Sequence, residues 1–145
     1  MSDSPGDASS LHVARPTTVS DSLRRAFDEA WRHVEVLRGG PALLATIAGG
    51  GDGDVLERLV AHDYLWTARA GDDVRGFAVV REGVIEGLWV DPRERRRGTA
   101  RVLLGALASL PDPPRDAWAL PGDRATKSLY EAVGWRARLL TMRGA

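Results

Sequence analysis

The chain contains no cysteine, so disulfides, a thiolate nucleophile and Cys-ligated zinc are all excluded. It carries no excess charge: 20 basic and 20 acidic residues cancel, which removes the global electrostatic pull that nucleic acids or anionic lipid surfaces exert. No apolar run approaches the roughly 18 residues of a membrane span. The opening residues SDSPGDASS are small and polar, without the basic patch or apolar core of a secretory leader. The expected location is therefore cytoplasmic, with residues 1–10 as a disordered tail and 11–145 as one domain. With 43% hydrophobic residues, 145 residues are enough to fill one sizeable core. His12, His33 and His62 show no metal-ligand spacing, and Asp52 with Asp54 lacks the rest of a calcium loop. No metal is expected.

What is present changes period along the chain. Residues 11–15 alternate and stop at Pro16, which predicts a short first strand. Ser20 and Asp21 are capping residues ahead of Leu23, Phe27, Ala30, Trp31, Val34 and Leu37 at helical spacing. Gly39 and Gly40 end that helix, and Pro41 starts another reaching Ile47. GGGDGD (49–54) predicts a flexible break before a helical turn carrying Val55, Leu56, Leu59 and Val60. Three strands then read as 64–69, 74–81 and 84–90, with turns at Gly71 and at Glu82-Gly83. A helix over 98–110, a strand over 117–120, a helix with Ala125, Leu129, Ala132 and Val133 on one face, and a last strand over 135–142 complete the chain. The order is β-α-α-β-β-β-α-β-α-β, an α/β fold whose sheet is mixed and mostly antiparallel, with one strand–helix–strand crossover setting two strands parallel.

The informative segment is VDPRERRRGTARVLL (90–104). A strand ends at Asp91-Pro92, a loop carries Arg93, Arg95, Arg96 and Arg97, and Gly98, Thr99 and Ala100 open a helix. Unpartnered amides and the positive dipole end at a helix start suit a pyrophosphate, and arginines add charge-assisted contacts. The competing readings are a solvated basic loop and a nucleic-acid patch. The strand–turn–helix setting opposes the first; zero net charge and the lack of interleaved aromatics oppose the second. Neither a P-loop nor a dinucleotide-binding glycine pattern is present.

RRRGTA (95–100) resembles the Arg/Gln-x-x-Gly-x-Gly/Ala acetyl-CoA signature of the GNAT superfamily of N-acetyltransferases, and SLYEAVGW (128–135) resembles that family's Leu-Tyr-Glu-x-x-Gly-Phe helix end. LHVARPTTVSD (11–21) is similar to its opening strand and helix start. The resemblance implies acetyl transfer from acetyl-CoA directly to a primary amine. It implies that the amides of Arg96, Arg97, Gly98, Thr99 and Ala100 cradle the pyrophosphate, with the Arg95 and Arg97 side chains beside it. It also implies that Leu88, Trp89 and Val90 offer backbone groups to pantetheine and that the neighbouring strand splays away near Leu120. Asp123 stands near the asparagine that touches pantetheine in many members; an ionised aspartate accepts but does not donate there.

A lysine-like amine costs about 4–5 kcal/mol to deprotonate at neutral pH, and a departing thiolate gains from a proton. The resemblance implies Tyr130 as the acid, at the edge of its helix's inward face. Glu86 is the candidate base, read as sharing a strand face with Val84, Leu88 and Val90; a solvated strand glutamate is the alternative. The acceptor is not named by any motif: a polyamine, a drug amine, an amino-acid derivative, a protein lysine or an N-terminus all fit. Other readings of the whole chain are a non-catalytic acyl-CoA-binding regulatory module and a small nucleic-acid-binding domain. With one closing strand where family members often have a hairpin, a homodimer covering that edge is expected.

Overall fold

In the computed structural model, which describes residues 10–94 and 96–144, the first three α-helices start where a capping residue or a close approach sets them. The Ser20 hydroxyl accepts the Leu23 amide at 3.1 Å and starts α1 (Asp21–Glu35), which buries Leu23, Ala26, Phe27 and Ala30 along one stripe. Gly39 at φ 77° and Gly40 turn the chain into α2 (Gly40–Ala48). A Cβ on Gly40 would lie 1.8 Å from the Val34 carbonyl oxygen, so only glycine lets the two helices meet this tightly. Asp54 caps α3 (Val55–Ala61) by accepting the Glu57 amide at 2.9 Å, and its carboxylate also takes both Arg24 terminal nitrogens from α1. The glycine-rich segment before α3 is tethered rather than a free break. Arg58 donates to the carbonyls of Gly51, Asp52 and Gly53, and to that of Ala48.

The sheet runs β1 (His12–Ala14), β2 (Leu65–Ala70), β3 (Asp73–Arg81), β4 (Val84–Val90), β5 (Asp116–Ala117) in spatial as in chain order. All neighbours are antiparallel except β4 and β5, which are parallel after the crossover through α4 (Thr99–Ala108). Arg81 pairs with Val84, and both intervening residues, Glu82 (φ 50°) and Gly83 (φ 80°), have positive φ, the signature of a type I′ hairpin. Helix α5 (Arg124–Ala132) follows β5 and ends at Gly134 with φ 93°.

Two cores lie on opposite faces of this sheet. On one, Phe27, Ala30 and Ile47 of α1 and α2 pack with Leu56 and Leu59 of α3 against Leu65, Val74, Phe77 and Val79. On the other, Leu103, Leu104 and Leu107 of α4 and Tyr130 of α5 pack against Ala68, Ala78, Ile85 and Leu88.

Two sequence-based expectations need correction. Residues 135–142 form no strand, and Leu139, Leu140 and Met142 are 90%, 67% and 80% exposed. The edge they would join is β5, a two-residue strand set between proline-bearing loops, which offers almost no ladder. The dimer argument built on that strand as a sheet edge loses its premise. In β4, the register slips between Val79 and Val80 of β3, so Glu86 is the extra residue of a bulge. Ile85 and Leu88 therefore share a face while Glu86 leaves it. The expected tail over 1–10 falls, apart from Ser10, outside the described residues, as does Arg95.

Two glycine substitutions should act in opposite directions. Gly40→Ala drives a methyl group into the Val34 carbonyl and should cost about 2 kcal/mol or more. Gly105→Ala, at an exposed α4 position with nothing within 4 Å of the new Cβ, should stabilise by about 1 kcal/mol. Denaturant unfolding of the two variants measures both signs.

Candidate functional site: a cleft between two diverging strands

β4 and β5 pair only at Val84–Asp116 and Ile85–Ala117, with one further bond from the Trp118 amide to the Ile85 carbonyl. Beyond that point β4 still pairs with β3, through Val90 opposite Gly76, but among the described residues no strand lies on its other side. A sheet edge facing inward leaves backbone donors and acceptors that need partners. Here the edge opens on a cavity of ≈ 730 Å³, walled by Leu88, Trp89 and Val90 on one side and by Asp123, Ala125 and Leu129 on the other. The apolar stripe of α5 thus faces the cleft, and Tyr130 alone on that helix is buried. Asp123 caps α5, accepting the Thr126 amide at 3.1 Å and its hydroxyl at 2.7 Å.

At one end the cavity reaches the start of α4, where Gly98, Thr99 and Ala100 line it together with Arg96 and Arg101. Gly98 holds φ 81°, no side chain caps the helix, and the first helical bond runs from the Val102 amide to the Gly98 carbonyl. The first-turn amides therefore have no helical carbonyl to donate to. Arg96 has φ 65°, unusual for a side-chain-bearing residue and consistent with a turn that presents successive N–H groups to one point.

The loop before this turn is fixed by its acids. Asp91 accepts the Arg93 amide at 2.9 Å and its Nε at 3.0 Å, and the Arg93 guanidinium holds this buried carboxyl below the usual range. Glu94, also buried, accepts from Arg75 at 2.8 Å and lies 3.9 Å from Arg97. Arg97 therefore leans toward Glu94 and is not among the cavity residues, whereas Arg96 is. Arg101 was not singled out from sequence. It donates to the Ala132 carbonyl at 3.1 Å and joins the start of α4 to the end of α5. The signal was there: a cation in a helix's first turn opposes the dipole unless an anion shares the site.

Glu86 and Tyr130 both sit just behind the cavity wall. The bulge turns Glu86 to the α1–α2 face, 3.2 Å from Arg81, which also donates to the Ile47 carbonyl at 2.9 Å and stacks on Tyr64. Glu86 Oε1 faces the Arg81 guanidinium in this ion pair without the alignment of a hydrogen bond. Burial raises the Glu86 carboxyl above its ordinary range, against the opposing pull of Arg81. Tyr130 packs its ring 5.7 Å from Trp135, and its hydroxyl, like that of Thr99, is buried without a hydrogen-bond partner. Burial, then the Asp123 charge, pushes the phenol well above its ordinary value and keeps it protonated.

A third stretch of wall comes from α1, α2 and the sheet. Trp31, Phe27, Phe77 and Trp89 run in a continuous chain of ring contacts of 5.7, 5.8 and 5.6 Å, and all four face the cavity. Among the described residues there is no group of three or more potential metal ligands, and no helix is long and apolar enough to cross a membrane.

No family model matches the chain, and no curated protein is similar to it. Solved structures are similar in fold. A ribosomal-protein-alanine N-acetyltransferase from Brucella melitensis superposes with a TM-score of 0.52 at 20% identity, over 94% of this chain and 99% of its own. The aminoglycoside acetyltransferase AAC(6')-Iy, solved with a bisubstrate analogue of CoA and acetylneamine, gives 0.51 at 19% identity over 93% and 98%. A protein from Xanthomonas campestris assigned to the GNAT family gives 0.51 at 17% identity over 93% of both chains. The shared feature is the fold, that of the GNAT acetyltransferases.

The two orphaned hydroxyls make a direct prediction. Removing a buried donor that has no partner also removes its desolvation penalty, so Tyr130→Phe and Thr99→Val should leave the free protein as stable as before, or stabilise it by about 1 kcal/mol. Thermal unfolding without ligand checks this; a loss of 2 kcal/mol would mean that the hydroxyls are bonded.

Proposed function

We propose that this chain, built on the GNAT acetyltransferase fold, transfers an acetyl group from acetyl-CoA to a primary amine. The observation that carries the reading is one continuous cleft joining the unpaired edge of β4 to the uncapped start of α4. The residues present fit the cofactor. The Gly98, Thr99 and Ala100 amides, with the Arg96 and Arg101 side chains, suit a pyrophosphate, and the orphaned Thr99 hydroxyl adds a donor or acceptor at the same point. The backbone groups of Leu88 and Val90 point away from β3, whereas those of Trp89 pair with Phe77, and this alternation suits pantetheine amides in the manner of an added strand; the apolar face of α5 covers the remainder. Arg95 belongs to the same turn by sequence, whereas the expected role of Arg97 is not met: its amide donates to the Glu94 carbonyl at 3.2 Å and its side chain leans toward the Glu94 carboxylate.

Acetyl-CoA supplies the activated acyl group: the amine nitrogen bonds to its carbonyl carbon and loses a proton, while the C–S bond breaks and the sulfur leaves as a thiol. The chain's part is positioning, exclusion of water and proton handling. Tyr130, held protonated by burial, serves as the proton donor. Glu86, one residue from the wall at Gly87 and ion-paired through Oε1 with Arg81, takes the amine proton through intervening water rather than by contact.

That neither Glu86 nor Tyr130 opens directly onto the cavity favours a second reading, an acyl-CoA-binding module without turnover. Two measurements test the enzyme. Gly98→Val places a branched side chain at a positive φ and should abolish CoA binding in calorimetry while the fold persists by circular dichroism; unchanged affinity would remove the cofactor site. Tyr130→Phe should lower kcat by roughly 10–10³ with little change in the acetyl-CoA KM. Thiol release that does not rise with any amine would favour the module.

A further inference from the structure

Resting on the acetyltransferase reading, we infer that the acceptor is a single primary amine carried on an aromatic or bulky apolar body, not a polycation or a polar peptide. Where α1 and α2 line it, the cavity is walled by the chain of four rings from Trp31 to Trp89, extended by Leu43 and Ile47 of α2. Phe27 and Phe77 are 6% and 4% exposed, so they are fixed supports, while Trp31 and Trp89 are half-buried and present open ring surface. A flat apolar group entering there gains burial against preformed aromatic faces without having to order them.

The acidic inventory points the same way. A polycation needs several carboxylates to replace water around its ammonium groups. Three acids line the cavity: Glu29, Glu94 and Asp123. Glu94 is committed to Arg75, and Asp123 to the Thr126 amide and hydroxyl. Glu29, exposed on α1 and near enough to Arg93 to interact with it, is left as one countercharge at the rim. One exposed carboxylate, which shares the field of Arg93 with Asp91 and makes no hydrogen bond of its own to it, beside a wall of rings matches one ammonium on an apolar body.

The test is a steady-state comparison on the full chain with acetyl-CoA, following thiol release with 2-phenylethylamine, tryptamine, spermidine, neamine and a tripeptide with an N-terminal alanine. The two arylethylamines should exceed the other three in kcat/KM by about tenfold or more. Trp31→Ala should raise the arylethylamine KM by a similar factor with the CoA Kd unchanged, and Trp31→Phe should restore most of it. Equal or better turnover of spermidine, neamine or the tripeptide overturns the inference, as does CoA binding without turnover of either arylethylamine. The wild-type order decides this even if Trp31→Ala fails to fold. Failure to bind CoA at all is a different result: it overturns the acetyltransferase reading, and this inference with it.

Discussion

The backbone of β4 past Ile85 must satisfy hydrogen bonds on both sides, and the fold supplies partners on only one. Antiparallel pairing with β3 continues to Val90, while the parallel neighbour ends at Ala117. A buried, unpaired amide or carbonyl costs about 1–3 kcal/mol, so a sheet does not open in its middle without something to fill the opening. The two-residue β5, flanked by prolines, keeps the strands from closing again, and α5 stands off with its apolar stripe toward the gap. The cleft, the exposed edge and the apolar cover follow from that single divergence.

The proposed anion site obeys the same economy of unmet hydrogen bonds. An uncapped helix start, a first-turn arginine and a side-chain-bearing residue at positive φ each run against local preference. They occur within six residues of one another, at the mouth of the same cleft. Asp91 and Glu94 carry no part of the anion themselves; they tie down Arg93 and Arg75 so that the turn keeps its shape. Asp63 and Glu82 also hold positive φ and α2 also starts uncapped, but only before α4 do the three departures coincide beside a cavity, which is what the proposed ligand site rests on.

Most elements were legible because their signals are local. The Ser20 cap, the Gly39-Gly40-Pro41 junction, the Glu82-Gly83 hairpin and the glycine opening α4 all lie in the chain beside the structure they set. What was missed depends on partners distant in sequence. The bulge at Glu86 is a property of how β4 registers with β3, so strict alternation placed that carboxylate on the wrong face. The last strand was read from its apolar content, but a strand needs an edge to join, and a two-residue β5 does not offer one. The aromatic wall combines a helix residue pair, Phe27 and Trp31, with Phe77 and Trp89 from adjacent strands, and nothing local in either stretch announces the other.

The central claim is that unpaired backbone groups on β4 and α4 are the cofactor-binding surface. Amide hydrogen exchange with and without CoA measures those groups directly. The account predicts that CoA slows exchange at Leu88 and Val90 and in the first turn of α4 from Gly98 to Arg101, with the β2–β3 ladder unchanged. Saturating CoA that leaves both segments exchanging as before, or that protects only residues away from the cleft, would contradict it.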